Sequence, residues 1–464
     1  MIVSTEASSP RFTQLLVATV VGVYLLVVVG ATASLADSVR ACSTWPVCSG
    51  PLTDLQLAIA MGHRAVAVLV FGLLCAACLV GFSNATAQVK ATLVLSALIY
   101  PVQIGVGALV ATSSAPVELA TLHLLGGGVI FVALALGLAW QLEAETGSTD
   151  TTPTATPSGT VSEPTSPEQQ PHEDGFITTI RAYYTLMKPR LMWLLCLVAG
   201  AGMALAASTG ATTLTVRTAV LTLGGGILSI GASGTFNHVL ERDVDRRMAR
   251  TADRPLATDT VGVRNAILFG ATLALGSLLL FAQLNALAAA LGLFAIVFYS
   301  VIYTLVLKPN TVQNTVLGGL AGAIPALIGW AGVTGRIDLP ALVLAALIFA
   351  WTPAHFYNLA LAYRDDYERG GFPMMPVVRG ETTTRKHIIY YLVATLLTAI
   401  ALTALTPLGW LYASATVSLG GLFLWFVVKL HREQTDGAAL RAFHASNAYL
   451  GVVLVSVIVD AMVV

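Results

Sequence analysis

Charge is what this sequence lacks. Only 10% of its 464 residues are Asp, Glu, Lys or Arg, whereas 56% are hydrophobic and the mean hydropathy is +0.80. A soluble domain of this size could not hide so much apolar surface, which leaves the bilayer as its solvent. The formal net charge is zero, and no nucleic-acid partner is expected. The first apolar window lacks a small-residue cleavage site of the usual kind, so it reads as a retained helix. Residues 143–176 contain no Lys or Arg and are rich in Thr, Ser, Pro and Glu. They cannot build a core, and read as a disordered acidic linker. Only five of the 24 basic residues are lysine, which together with this linker hints at a salt-rich habitat.

What is there comes in long apolar windows. Stretches of spanning length fall at 12–35, 54–80, 91–112, 117–141, 188–207, 216–237, 263–283, 286–305, 314–334, 340–362, 387–406, 409–429 and 445–463. The expected protein is all-α and polytopic, with about 13 transmembrane helices. Four of them lie in residues 1–142 and nine in residues 177–464. With the N-terminus inside, the inner loops collect Lys90, the arginines from Arg242 to Arg264, Lys308, Arg364, Arg369, Arg379, Arg385, Lys386, Lys429 and Arg432. The outer loops hold little beyond Arg40 and Arg336. The positive-inside rule then predicts a multi-pass protein of the cell membrane with a cytoplasmic N-terminus and an outer C-terminus.

Of only five cysteines, Cys75, Cys78 and Cys196 fall in apolar windows as packing residues. Cys42 and Cys48, in CSTWPVC, lie in the first outer loop. An oxidising exterior favours a disulfide there, two free thiols being the alternative.

Against this background NHVLERDVDRRMARTADRP (237–255) is crowded with acid and base. Asn237, Glu241 and Asp245 recur at i, i+4 and i+8, so on a helix successive members turn by only about 40° and share a stripe. Oxygen ligands beside a basic cluster suit Mg²⁺ that is itself bound to phosphate. Arg242, Arg246, Arg247, Arg250 and Arg254 offer planar forks to phosphate oxygens. Asp243 points elsewhere, as a helix-surface charge. An ordinary positive-inside loop laced with ion pairs would carry the same residues.

A second stretch weighs against that plainer reading. WTPAHFYNLALAYRDDYERGGFPMMPVVRG (351–380) ends another window on the same side, with His355, Asn358, Tyr363, Arg364, Asp365, Asp366 and Tyr367. Ionisable groups at membrane depth are costly and are candidates for function. Two acid-plus-arginine clusters at one face make a site for a diphosphate held by Mg²⁺. Beside an apolar bundle, such a substrate needs a greasy tail, and the chemistry is prenyl transfer.

From about Tyr184 onward the chain resembles the intramembrane prenyltransferase superfamily, and within it the protoheme IX farnesyltransferase (heme O synthase) branch. The matching segments are YYTLMKPRLMWL (183–194), NHVLERDVDRRMARTADRPL (237–256), NTVLGGLAGAIPALIGWAGVTG (314–335) and the 351–380 block. The resemblance implies that Asn237, Glu241, Asp245 and Asp366 are catalytic, holding Mg²⁺ on farnesyl diphosphate. Lys188, Arg190, Arg250, Arg254 and Arg364 would grip phosphate, with Lys308 a weaker candidate. Glu241 stands where the superfamily more often has Asp, which conserves the ligand chemistry. Ala362 stands where it often has a second Asp; the heme branch commonly lacks it, leaving Asp365 as a substitute.

The implied reaction ionises the C1–O bond of the diphosphate, adds the allylic cation to a vinyl group of heme b, and quenches the product cation with water. It needs no nucleophile–base pair, and none is present. His355 would contact heme iron or a propionate, or else be hydrogen-bonded within the bundle; His238 would be structural or touch diphosphate. A quinone precursor or a lipid is the alternative acceptor, and a non-enzymatic heme carrier the alternative class.

The first four helices carry His63, in MGHRAV, and His123, in ATLHLLGGG, at depths that differ by only ~5 Å. Two imidazoles facing across a bundle can ligate a heme iron from both sides, unless they are packing residues. The glycines after His123 would admit a flat macrocycle. This module looks like half of the heme A synthase family, through VVVGATASLADSVRACSTWPVCSG (27–50), the His63–Arg64 pair and YPVQIGVGALVATSS…LATLHL (100–124). The family's usual catalytic Glu is replaced by Ala60. Heme binding is therefore expected without an assured activity. A homodimer would restore the two-half architecture, and heme A synthase or a terminal oxidase assembly are the partners the resemblance suggests.

Overall fold

The structure is a computed structural model that describes residues 10–35, 38–42, 44–48, 51, 53–113, 117–147, 175–210 and 213–463. In lipid every backbone N–H and C=O must find its partner within the protein, which a helix achieves locally. Among the described residues, thirteen helices are long and apolar enough to cross a membrane.

The first four are α1 (Pro10–Leu35), α2 (Leu55–Asn84), α3 (Ala87–Thr112) and α4 (Val117–Thr146). Asp54 caps α2 by accepting from the N–H groups of Gln56 and Leu57, and the Thr86 hydroxyl caps α3. A disulfide joins Cys42 to Cys48 in the loop between α1 and α2.

The chain resumes with α5 (Phe176–Leu186), α6 (Pro189–Ser208), α7 (Val216–Leu240) and the short α8 (Arg242–Asp245). Next come α9 (Val263–Ala282) and α10 (Ala286–Val297); the latter continues through a π-helical stretch, Phe298–Leu307, into the single turn α11 (Lys308–Asn310). Then follow α12 (Asn314–Thr334), α13 (Leu339–Ala362), α14 (Arg364–Arg369) and α15 (Met375–Arg379). The last three are α16 (Glu381–Leu405), α17 (Trp410–Glu433) and α18 (Asp436–Val463).

Small residues set the closest approach. A Cβ on Gly202 of α6 would lie 2.3 Å from the Ala326 carbonyl oxygen of α12, and one on Gly329 of α12 would lie 2.1 Å from that of Ala199. These two helices therefore cross backbone on backbone. Buried Trp351, Tyr357 and Leu361 of α13 belong to an apolar cluster that also holds Phe12 and Tyr24 of α1, Leu138 of α4, Leu392 of α16 and Phe423 of α17. The four-helix unit thus packs directly on the other nine through α1 and α4. At the edge of this contact Lys386 Nζ meets Glu143 Oε1 at 2.8 Å, and Gln434 Nε2 donates to the Thr146 carbonyl at 2.7 Å.

Two boundaries differ from expectation, and one helix is additional. The linker expected from residue 143 starts later, because α4 runs to Thr146 with Glu143 tied to Lys386. Residues 148–174, on which the expectation of disorder falls, lie outside the described residues. The last span begins at Asp436 rather than residue 445, since Ala438, Ala439, Ala442 and Ser446 are buried while Arg441 and His444 face outward. An additional helix, α5, exposes Phe176, Ile177, Ile180 and Tyr184 along one face, the pattern of a helix lying on a membrane surface.

Candidate active site

The loops after α7 and α13, the start of α6 and the end of the π-helical stretch meet at one end of the bundle. Gly234 leaves room for the chain entering α6: a Cβ there would sit 2.9 Å from the Leu186 carbonyl oxygen. That approach carries in Lys188, whose φ of 55° places a non-glycine residue in the left-handed region. Its Nζ donates to Asn237 Oδ1 and, at 3.3 Å, to Tyr299 Oη. Burial pulls the Lys188 ammonium down to about 8, helped by Arg254 and opposed by Glu241 and Asp245.

The regular helix that the spacing of Asn237, Glu241 and Asp245 predicts stops at Leu240, yet the stripe survives. The Glu241 N–H donates to the Asn237 carbonyl at 2.9 Å, and the Asp245 N–H to that of Glu241 at 2.8 Å. All three side chains are buried. Glu241 Oε1 accepts from Lys308 Nζ at 2.6 Å. Burial raises the Glu241 carboxyl, but Lys308 and Lys188 outweigh it and leave its pKa below the ordinary value. Asp245 receives Arg254 Nη1 on both oxygens at 2.8 Å. There burial prevails, and the carboxyl lies above its ordinary value against the pull of Arg254.

Asp366 of α14 ties the second cluster to the first. It is buried and accepts from the backbone N–H groups of Ala249 at 3.3 Å and Arg250 at 3.2 Å, and from the Arg369 guanidinium. The Arg250 guanidinium lies over the rings of Tyr363 and Tyr367, at 5.4 and 5.7 Å. Arg364 sits at the margin, where Nη1 donates to Glu381 Oε1 at 3.2 Å. Arg190 is exposed, and its side chain joins no hydrogen bond or ion pair among the described residues. Asp365 is exposed, and Asp243 is an exposed partner of Arg242 and Arg246. Sequence reasoning does not single out Tyr299, Tyr303 or Thr304, which lie inside an apolar window; their place just before Lys308 is the only signal.

Among the described residues no three of His, Cys, Asp and Glu converge enough to hold a metal unaided. Asn237, Glu241, Asp245 and Asp366 offer hard oxygen donors, each already met by a basic side chain. Such a set fits Mg²⁺ arriving with oxygen ligands of its own, as on a diphosphate.

His355 is stacked between Trp351 and Phe443, at 4.3 and 4.2 Å, and its Nδ1 shares a 2.6 Å hydrogen bond with Ser446 Oγ. In the four-helix unit, the rings of His63 and His123 lie against glycines of neighbouring helices. A Cβ on Gly30 would be 2.9 Å from His63 Cε1, and one on Gly107 equally close to His123 Cε1. Both Nδ1 atoms are buried without a hydrogen-bond partner. Arg64 turns away to the disulfide loop, donating to the carbonyls of Thr44 at 2.9 Å and Pro46 at 3.0 Å.

The sequence profile of the UbiA prenyltransferase family matches residues 193–450. Over 464 residues the chain is 62% identical to a protoheme IX farnesyltransferase of Haloarcula marismortui, covering 98% of this chain and 99% of that one. It is 63% identical over 458 residues to protoheme IX farnesyltransferase 1 of Natronomonas pharaonis, with the same coverage. A solved digeranylgeranylglyceryl phosphate synthase shares the fold with a TM-score of 0.51 at 15% identity, across 62% of this chain and 100% of that one. The chain belongs to the UbiA prenyltransferase family, and within it to the group of the protoheme IX farnesyltransferases.

Proposed function

We propose that this protein transfers the farnesyl group of farnesyl diphosphate to a vinyl group of protoheme IX, with addition of water, giving heme O and diphosphate. The observation that carries this reading is the convergence of the two acid-plus-arginine clusters, bonded to each other through Asp366, at one end of an apolar bundle. The relatives at 62% and 63% identity supply the acceptor.

Asn237, Glu241, Asp245 and Asp366 would hold Mg²⁺ together with the diphosphate, where the ion would neutralise charge on the leaving group. Lys188 on Asn237, Arg254 on Asp245 and the Arg250 guanidinium over Tyr363 and Tyr367 can pass their donors to phosphate oxygens. Arg364 would reach the diphosphate from the margin, and Arg190 only from outside the cluster. Tyr299 and Tyr303, stacked at 5.5 Å, offer ring faces that favour a developing allylic cation. With Lys308 seated over Phe372 at 4.2 Å, they help keep water from that cation before the acceptor reaches it.

The chain reads as a four-helix unit ending with α4 and a prenyltransferase unit beginning with α5, with the N-terminus inside and the C-terminus outside. In the first unit His63 and His123 would bind heme, their rings seated against Gly30 and Gly107. Ala60 leaves that unit without the acid expected of an oxidising one. A second copy of the chain would restore the two-half architecture, and a heme A synthase or terminal oxidase assembly would receive the product. Purified protein given heme b, farnesyl diphosphate and Mg²⁺ should yield a heme heavier by one farnesyl group and one water in mass spectrometry; heme recovered unchanged would sink the reading.

A further inference from the structure

Asparagine is an awkward ligand for a cation. Its amide has two ends of similar size, an oxygen that binds a metal and an NH₂ that does not, and a half-turn of the amide exchanges them. Asn237 is 2% exposed, so its orientation is set by its neighbours. On one side stands Lys188 Nζ, which can only donate and meets Oδ1. On the other, Asn237 Nδ2 donates to Thr304 Oγ1 at 3.1 Å.

The Thr304 hydroxyl has one hydrogen, and it is already committed. It donates to the Tyr299 carbonyl, five residues back, at 2.8 Å. Towards Asn237 this oxygen is therefore an acceptor only, and a flipped amide would set oxygen against oxygen. The backbone explains the unusual reach. A helical threonine commonly bonds back to the carbonyl three or four residues before it, but Phe298–Leu307 is π-helical and its wider turn brings residue 299 under residue 304. Such stretches recur at functional sites.

We propose that Thr304 is a positioning residue that locks the Asn237 amide with Oδ1 facing the cation and diphosphate. The inference rests on the reading of Asn237 as a ligand of diphosphate-bound Mg²⁺. Lys188 cannot do this work alone, because it is also a phosphate donor. When it turns to the diphosphate its hold on Oδ1 lapses, and the Thr304 bond remains.

The test uses the full chain in detergent and an unreactive thio analogue of farnesyl diphosphate. The Mg²⁺ concentration that half-saturates analogue binding is read by calorimetry, alongside the unfolding temperature. Thr304→Val keeps the shape and removes the acceptor, and should raise the Mg²⁺ requirement about tenfold, the usual scale for a residue that orients a metal ligand. Thr304→Ser should stay close to wild type. If Thr304→Val does not fold, Thr304→Ala serves the same comparison. In an Asn237→Ala background Thr304→Val should add nothing. An unchanged Mg²⁺ requirement in the valine variant, or a further rise in the Asn237→Ala background, overturns the inference alone. Wild-type protein that binds the analogue equally with and without Mg²⁺ overturns the reading of Asn237 and this inference with it.

Discussion

Lys308 and Glu241 form a 2.6 Å ion pair whose side chains are 15% and 7% exposed. Removing one partner of so buried a pair strands the other charge, at a cost of roughly 3 kcal/mol, whereas removing both is close to neutral. Lys308→Met should therefore lower thermal stability in detergent markedly, and Lys308→Met combined with Glu241→Gln should recover most of the loss. Asp245→Asn is the complementary case. It keeps the volume and leaves Arg254 half its acceptor, so the protein should fold while heme farnesylation per molecule falls by about two orders of magnitude. Turnover near wild type would remove Asp245 from the site. The spacing of Asn237, Glu241 and Asp245 made this stripe legible in the sequence, because four-residue intervals are local. The Lys308 pair and the Asp366 bonds to Ala249 and Arg250 were not legible. They join residues 67, 117 and 116 positions apart, and depend on how two loops fold over each other.

At the scale of elements, hydropathy locates a helix more firmly than its ends. Apolar windows mark every one of the thirteen spans, since lipid demands them. The start of α18 was missed because its first turns are amphipathic, and averaging over a window dilutes a buried face with an exposed one. Near the other end of α18, Asp460 illustrates a charge within a span that the helix ends explain. Its Oδ2 accepts from the N–H groups of Gly409 at 2.9 Å and Tyr412 at 2.8 Å, capping the start of α17. Asp460→Ala should cost about 1 kcal/mol of stability, the usual worth of such a cap, and Asp460→Asn much less. Thermal unfolding of the two variants distinguishes this from a role in turnover, which should not change. Gly329→Ala should be worse than either, because the clashing atom is the Ala199 carbonyl of a packed helix and cannot rotate away.

For the whole molecule, the question is what the four-helix unit contributes to a site that contains none of its residues. The contact between the units is apolar, with Phe12, Tyr24 and Leu138 packed in one cluster with Leu392 and Phe423. The Lys386–Glu143 pair beside it is 25% and 36% exposed, and such a pair is worth less than about 1 kcal/mol. In a bilayer apolar faces gain little from leaving lipid, so close packing and shared polar contacts hold the units together. Residues 175–464 expressed alone would exchange that packing for lipid. They should purify with a lower unfolding temperature than the full chain, and still farnesylate heme b at a comparable rate per folded molecule. Lys386→Met in the full chain should leave both quantities nearly unchanged, since the ion pair is the smaller part of the contact. A shortened chain that folds but transfers no farnesyl group would mean that the four-helix unit takes part in delivering the heme.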